Sequence, residues 1–370
     1  MELQSFLPKE IQATPLFRSF SIKQITLGSR QSIVQYFYKL FHLIDKVCAV
    51  IFLYPLFFYE LIKLTFFLLR DRPNVLQINN GGYPGARSAR AAACAGKISR
   101  VPTILMVVNN MAVHKTSLSR MLDFPIDILV RRSVSVFVTA STQANKTVMS
   151  ALKLSPGKVQ VIPNAVALIK ILEPRSSIRE SMLSDSSTIV IGIVAVLEKR
   201  KGHQVLFDAL SIVLNENPSF ANRIELWIIG DGTLSFPLKA AAINLGISEA
   251  THFFGYRYDY QKLMSAMDIA VLPSISDEDS PLFTIEAMSL GIPIIVSDFA
   301  GLSEQIVNDE NGILFPVGDS IALAEALIKL IGDRENRESM GRSAFNTYHS
   351  RHSIDQFISN YTSLYLNDNQ

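Results

Sequence analysis

From residue 74 onward, short apolar runs alternate with stretches whose apolar positions recur at helical spacing. That alternation predicts parallel sheets with crossover helices, because a strand covered on both faces reads as a continuous apolar run and each parallel return needs a helix. The predicted strands are "NVLQIN", "TILMVV", "SVFVTA" and "VQVIP", then "TIVIGIVAVL", "ELWIIG", "THFFG", "IAVLP" and "IPIIVS". The polar, irregular stretch "ALIKILEPRSSIRESMLSDSS" separates the two sets. The chain therefore reads as α/β with two Rossmann-like, doubly wound domains: residues 1–165, a linker over 166–187, and residues 188–345. Residues 346–370 read as a C-terminal helix returning toward the first domain. No internal repeat or low-complexity tract interrupts this order.

The front of the chain follows another pattern. Gln35, Lys39, His42 and Lys46 form a narrow polar stripe on an otherwise apolar helical pattern, and "VCAVIFLYPLFFYELIKLTFFLLR" continues it, so residues 33–70 form an apolar helical segment. The run is long enough to span a bilayer, but Pro55 interrupts it and Glu60 and Lys63 fall inside it. Each charge costs about 2.5–3.5 kcal/mol at a membrane centre. Three readings remain: a membrane span, which those charges disfavour, a helix packed on the first domain, and a monotopic helix lying on a membrane surface.

Two doubly wound domains imply a ligand in the crevice at the carboxyl ends of their strands. The stretch "EDSPLFTIEAMSLGIPIIVS" falls there. Ser280 is expected to cap a helix, Pro281 to take its first position, and Gly291 to stop it. The N–H groups of Leu282, Phe283 and Thr284 then face an anion such as phosphate. Glu278 lies before that helix and Glu286 roughly 7.5 Å along its axis, at about 1.5 Å per residue. Carboxylates repel a phosphate, so they bind hydroxyls on either side of it, an arrangement that suits a sugar nucleotide.

Composition narrows the class without naming a ligand. With 48% hydrophobic and 18% charged residues and a net charge of +2 over 370 residues, the chain is globular and carries no nucleic-acid signature. Cys48 and Cys94 are too few for a disulfide framework, and Met1 opens no signal segment, so a cytoplasmic protein is expected, with peripheral contact at the inner membrane face as the companion of the monotopic reading. The acidic triplet Asp277, Glu278, Asp279 imitates a metal site, but the helix and a nearby lysine can neutralise a diphosphate, and no metal or cofactor is expected.

The Glu-x7-Glu pair, "AMSLGIPIIVSDFAGLSEQIV" and "NGILFPVGD", with "EKRKGHQVLFDAL", "IIGDGTL" and "FFGYRYDYQKLMSAMDIAVLPS", resemble the donor-binding half of family 4 retaining glycosyltransferases. The resemblance implies the GT-B fold, a nucleoside-diphosphate sugar as substrate, and a carbohydrate or lipid-linked acceptor in polysaccharide or glycolipid synthesis. It implies that Glu278 contacts the transferred sugar, Glu286 the ribose, and Lys201 the diphosphate. Gly230 and Gly232 would let the backbone approach the nucleotide, and Arg257 and Tyr258 would lie beside the base. Glu304 reads as a first-turn helix acid.

The chain also departs from the family pattern. Val196 stands where the family carries the arginine that partners the lysine, so one cation is missing, and Lys199 or Arg200 could substitute from the same loop. The family's histidine after the "TILMVV"-like strand is replaced by Asn109 and Asn110, with His114 as a displaced stand-in. Residues 1–30 offer one modest strand, "FSIKQITLG", and no glycine-rich loop, so two readings stand: that element is absent and the first domain incomplete, or the sequence begins inside it. Gly81 and Gly82, with Tyr83, Gly85, Asn79 and Asn80 beside them, are the remaining acceptor-side loop. The leading expectation is a metal-independent retaining glycosyltransferase; the alternatives are a non-catalytic nucleotide-sugar-binding relative or partner subunit, and a GT-B sugar-nucleotide epimerase.

Overall fold

The computed structural model describes residues 53–113, 118–182, 184–185, 187–276 and 278–367. The stripe over 35–46, the "FSIKQITLG" run, His114 and Asp277 lie outside them. Helix α1 (Leu53–Asp71) contains Pro55 in its first turn. From Pro55 the helix runs on without a break to Asp71. Phe57 and Leu68 of α1 are buried, and Arg87 pairs with Glu60 at 3.0 Å, giving that acid a counter-charge.

The first lobe alternates β1 (Val75–Asn80), α2 (Arg87–Ile98), β2 (Thr103–Val108), α3 (Leu118–Leu122), α4 (Phe124–Ser133), β3 (Val136–Thr139), α5 (Thr142–Leu152) and β4 (Val159–Val161). Its strands are parallel in the order β1-β2-β3-β4. Every residue of β2 is buried, which is why "TILMVV" has no polar alternation.

The stretch read as a linker is not irregular throughout, since it carries α6 (Arg175–Ser181). Arg175 and Arg179 both donate to the carbonyl of Ala266 and pair with Asp268. These contacts fasten its second half to the second lobe.

The second lobe comprises β5 (Ile189–Val194), α7 (His203–Glu216), β6 (Ile224–Ile229), α8 (Ser235–Asn244), β7 (Thr251–Gly255), α9 (Tyr260–Ser265), β8 (Ile269–Leu272), α10 (Leu282–Ser289), β9 (Ile294–Ser297), α11 (Leu302–Gln305), β10 (Gly312–Phe315), α12 (Ser320–Gly332) and α13 (Arg334–Thr347). Its parallel order is β10-β9-β8-β5-β6-β7. Strand β10 was not anticipated, because "GILF" is four residues long and sits at the sheet edge, where one neighbour suffices to define it.

After a π turn at Tyr348–His352, α14 (Ile354–Asn367) leaves the second lobe. Tyr361 and Leu364 join Leu105, Val107, Val138 and Ile162 in one apolar cluster on the first sheet. The crossing is held by Tyr348, whose hydroxyl donates to Val166 O at 3.1 Å, and by His352 Nδ1, 2.9 Å from Asn164 O.

Candidate active site

In the second sheet the chain runs outward in opposite directions from β5 and β8, so the loops leaving their carboxyl ends open a crevice. Lys201 lies in the loop after β5 and Glu278 in the loop after β8. The Lys201 ammonium contacts Glu278 Oε2 directly, Arg200 Nη1 stands 3.7 Å from the same oxygen, and Ser274 donates to it at 3.0 Å. Lys201 and Glu278 are 9% and 8% exposed, so little solvent screens these charges. Of the two cations proposed to replace the family arginine, Arg200 points inward; Val196 is 37% exposed. His203, next along the chain, is held neutral, its pKa pushed down to about 4 by burial and then by the Lys201 charge.

Helix α10 begins one residue later than anticipated. Pro281 is its N-cap, Leu282 its first residue, and no side chain caps it. The Ser280 hydroxyl instead accepts from Gln305 Nε2 at 3.0 Å, so it is committed sideways to α11. Thr284 is buried and donates to Pro281 O at 2.8 Å, Phe283 is buried, and Leu282 is 50% exposed. The opening N–H groups of α10 are thus left for an anion. Gly291, with φ +67°, ends the helix as expected.

Glu286, on α10, accepts from Tyr260 Oη at 2.7 Å and Gln261 Nε2 at 3.0 Å. Burial and then Glu286 push Tyr260 up to about 12, so it remains a donor. Sequence reasoning missed both residues, although they lie two and three positions past Tyr258. Arg257 makes a bidentate pair with Asp259, both bonds 2.7 Å, and Tyr258 is 91% exposed in an edge-to-face pair with Tyr256.

The two glycines of "GDG" serve the fold first. A Cβ at Gly230, φ +137°, would stand 2.0 Å from Ala195 O, and one at Gly232 2.6 Å from Leu197 O. The close approach they permit is therefore to the loop after β5.

The lobes meet directly beside Glu278. Ser141, the N-cap of α5, accepts from Ala144 N at 2.9 Å and donates to the Asp279 carboxylate. Glu304 accepts from the backbone N–H groups of Thr142 and Gln143, both at 2.7 Å. It is therefore more than a first-turn acid: it caps a helix of the opposite lobe, where the helix dipole favours a carboxylate.

Burial pushes the Asp279 carboxyl up to about 6, with Glu304 and Glu278 adding to the rise and the Ser141 bond opposing it. A carboxyl whose folded pKa is raised gives stability that is fully present below its unfolded value and lost as pH climbs through about 6. Melting curves of wild type and Asp279→Asn are therefore expected to diverge with pH. The wild type loses stability relative to the variant between about pH 4 and 7. A constant difference across that window would refute the assignment.

On the first lobe, Gly81 and Gly82 lie in a loop braced by Asn80, whose side chain donates to Pro84 O at 3.2 Å and accepts from Ala86 N at 3.0 Å. Asn110 turns back onto Met111 N at 2.7 Å, whereas Asn109 faces a cavity shared with Asn79. Among the described residues no His, Cys, Asp and Glu side chains gather as a metal site.

Residues 174–347 match the family described as glycosyl transferases group 1. The chain is 25% identical over 246 residues to an Escherichia coli UDP-Gal:alpha-D-GlcNAc-diphosphoundecaprenol alpha-1,3-galactosyltransferase, covering 65% of this chain and 63% of that one. It is 33% identical over 156 residues to the phosphatidyl-myo-inositol mannosyltransferase of Mycobacterium leprae, covering 41% and 40%. It thus spans less than two thirds of the length of these relatives. The crystal structure of Anabaena HepE in complex with UDP superposes with a TM-score of 0.71 at 20% identity over 82% of this chain and 80% of that one, which establishes the GT-B fold.

Proposed function

Residues 174–347 match the glycosyl transferases group 1 family, and from that match we propose that the chain is a retaining glycosyltransferase moving a sugar from a nucleoside diphosphate to an acceptor hydroxyl. The observation that carries this reading is the convergence of Lys201 and Arg200 on Glu278 beside the uncapped start of α10. The diphosphate seats against the N–H groups of Leu282, Phe283 and Thr284, and Lys201 and Arg200 turn to it. Glu278, released from the lysine, grips the hydroxyls of the sugar. Glu286, oriented by Tyr260 and Gln261, holds the ribose hydroxyls.

Retention follows from attack on the face the leaving group departs from. The bond between the anomeric carbon and the phosphate oxygen breaks, the acceptor oxygen bonds to that carbon through an oxocarbenium-like state, and the acceptor proton passes to the departing phosphate. Lys201 and Arg200 stabilise the charge gained by the phosphate, and fixed cations in a dry crevice do so without reorganisation. The chemistry asks for no metal. Arg200 supplies the cation that Val196 lacks, which favours an active enzyme over a non-catalytic relative.

Thermal shift against a panel of nucleoside-diphosphate sugars tests the donor site, because a ligand of the folded state raises its melting point. At least one donor is expected to stabilise the protein. Glu286→Ala is expected to weaken the free nucleoside diphosphate at least tenfold. No response to any donor, or unchanged affinity in the variant, sinks the reading.

The exposed face of α1 supports a lipid-linked acceptor met at a membrane surface. Phe58, Ile62 and Phe66 lie exposed on it, with Lys63, Arg70 and Arg72 nearby, and no described helix is long and apolar enough to cross a membrane. Anionic vesicles at low salt are expected to sediment the protein, and Phe58→Ser with Phe66→Ser to abolish this. Absence of binding by the unaltered protein would point to a soluble acceptor.

A further inference from the structure

One face of the first sheet and the inner side of α14 line an open pocket of about 370 Å³. Sites for small molecules usually run from roughly 300 to 1,000 Å³, so this one suits a terminal sugar better than a long chain. Its polar lining consists largely of amides: Gln77 and Asn79 on β1, Asn109 just past β2, and Asn164 past β4. The rings of Phe357 and Tyr361 face it from α14. Among the described residues no Asp, Glu, Lys, Arg or His lines it.

Two contacts place this cavity beside the donor. Asn164 Nδ2 donates to Ser280 O at 2.8 Å. Ala140, in the cavity wall, precedes Ser141, whose hydroxyl reaches Asp279. The two partners, Asp279 and Ser280, follow Glu278 within two residues, so a molecule in the cavity abuts the sugar end of the proposed donor site.

Resting on the glycosyltransferase reading, we infer that this cavity receives the acceptor and that the acceptor sugar is uncharged, a neutral hexose, deoxyhexose or N-acetylhexosamine unit. A sugar hydroxyl both donates and accepts, and the Asn109 amide offers both in return, while Gln77 is engaged by Tyr365 Oη and Asn79, and Asn164 gives a donor to Ser280 O. The flat rings of Phe357 and Tyr361 cover the C–H faces that hydroxyls leave bare. A uronate or a sugar phosphate would shed part of its water here and find no counter-charge in the lining, which disfavours it against a neutral sugar. The C-terminal helix is thereby part of the acceptor site as well as a strap between lobes.

Saturation-transfer NMR on the full chain, with whichever of UDP, GDP or ADP it binds, compares methyl glucoside, methyl galactoside and their N-acetylamino counterparts with glucuronate and glucose 6-phosphate. The neutral sugars are expected to bind and the two anions to bind at least tenfold more weakly. Asn109 is exposed, so Asn109→Ala should melt as the wild type does. It is expected to weaken the neutral sugars at least tenfold while nucleotide affinity is kept. Anions bound as well as neutral sugars, or neutral sugars indifferent to Asn109→Ala, overturn the inference. A chain that binds a nucleoside diphosphate but no neutral sugar overturns this inference alone, whereas one that binds no nucleotide overturns the glycosyltransferase reading too.

Discussion

Glu278→Gln is expected to lower turnover about a hundred- to a thousandfold, the usual loss on removing a positioned electrostatic group, with nucleoside diphosphate still bound. The carboxylate sits against Lys201, with Arg200 at 3.7 Å and Ser274 at 3.0 Å. Gln keeps the shape and loses the charge. The buried ammonium is then left without its counter-charge, and breaking such a pair destabilises by about 3–5 kcal/mol. A bound diphosphate replaces the missing negative charge, so the rise in melting temperature on adding nucleoside diphosphate should be larger in the variant than in the wild type. Near-normal turnover would remove Glu278 from the sugar site. An equal or smaller thermal shift would show that the diphosphate does not approach Lys201.

Lys201→Ala is expected to cost about 3 kcal/mol of transition-state stabilisation, read as a comparable fall in kcat/KM of roughly two orders of magnitude. The loss should appear chiefly in kcat if the ammonium meets the charge that develops on the leaving phosphate, and chiefly in KM if it binds the ground state equally well. Arg200 cannot replace it fully, since its Nε is committed to Glu198 at 3.0 Å. Val196 is partly exposed beside this loop, so Val196→Arg in the Lys201→Ala background is expected to recover part of the rate. Unchanged kinetics in both proteins would place the diphosphate elsewhere.

Much of the second lobe was legible because its signals are local. Strands such as "IVIGIV" and "IAVL" are apolar throughout because they are covered on both faces, and a run of that kind needs no partner to be recognised. Gly291 could be read as a helix stop because left-handed backbone is a single-residue property. The start of α10 was missed by one residue. Ser280 is a good cap by type, but Gln305, distant in sequence, engages its hydroxyl first. "GILF" escaped as a strand because an edge strand of four residues carries too few positions to show a period.

The sequence by itself determined the layered α/β architecture and nominated the residues of the candidate crevice, since periodicity and a helix start flanked by two glutamates are written in neighbouring positions. Only the tertiary structure decided what those residues touch. It brought Arg200 to the oxygen that Lys201 holds, set Tyr260 and Gln261 on Glu286, and turned Glu304 from an acid on its own helix into the cap of α5. It also laid α14 across the first sheet, so that residues more than two hundred positions apart line one cavity. The physical reason is the same in each case. A hydrogen bond or an ion pair depends on distance in space, and a parallel fold joins elements whose separation along the chain carries no trace of that distance.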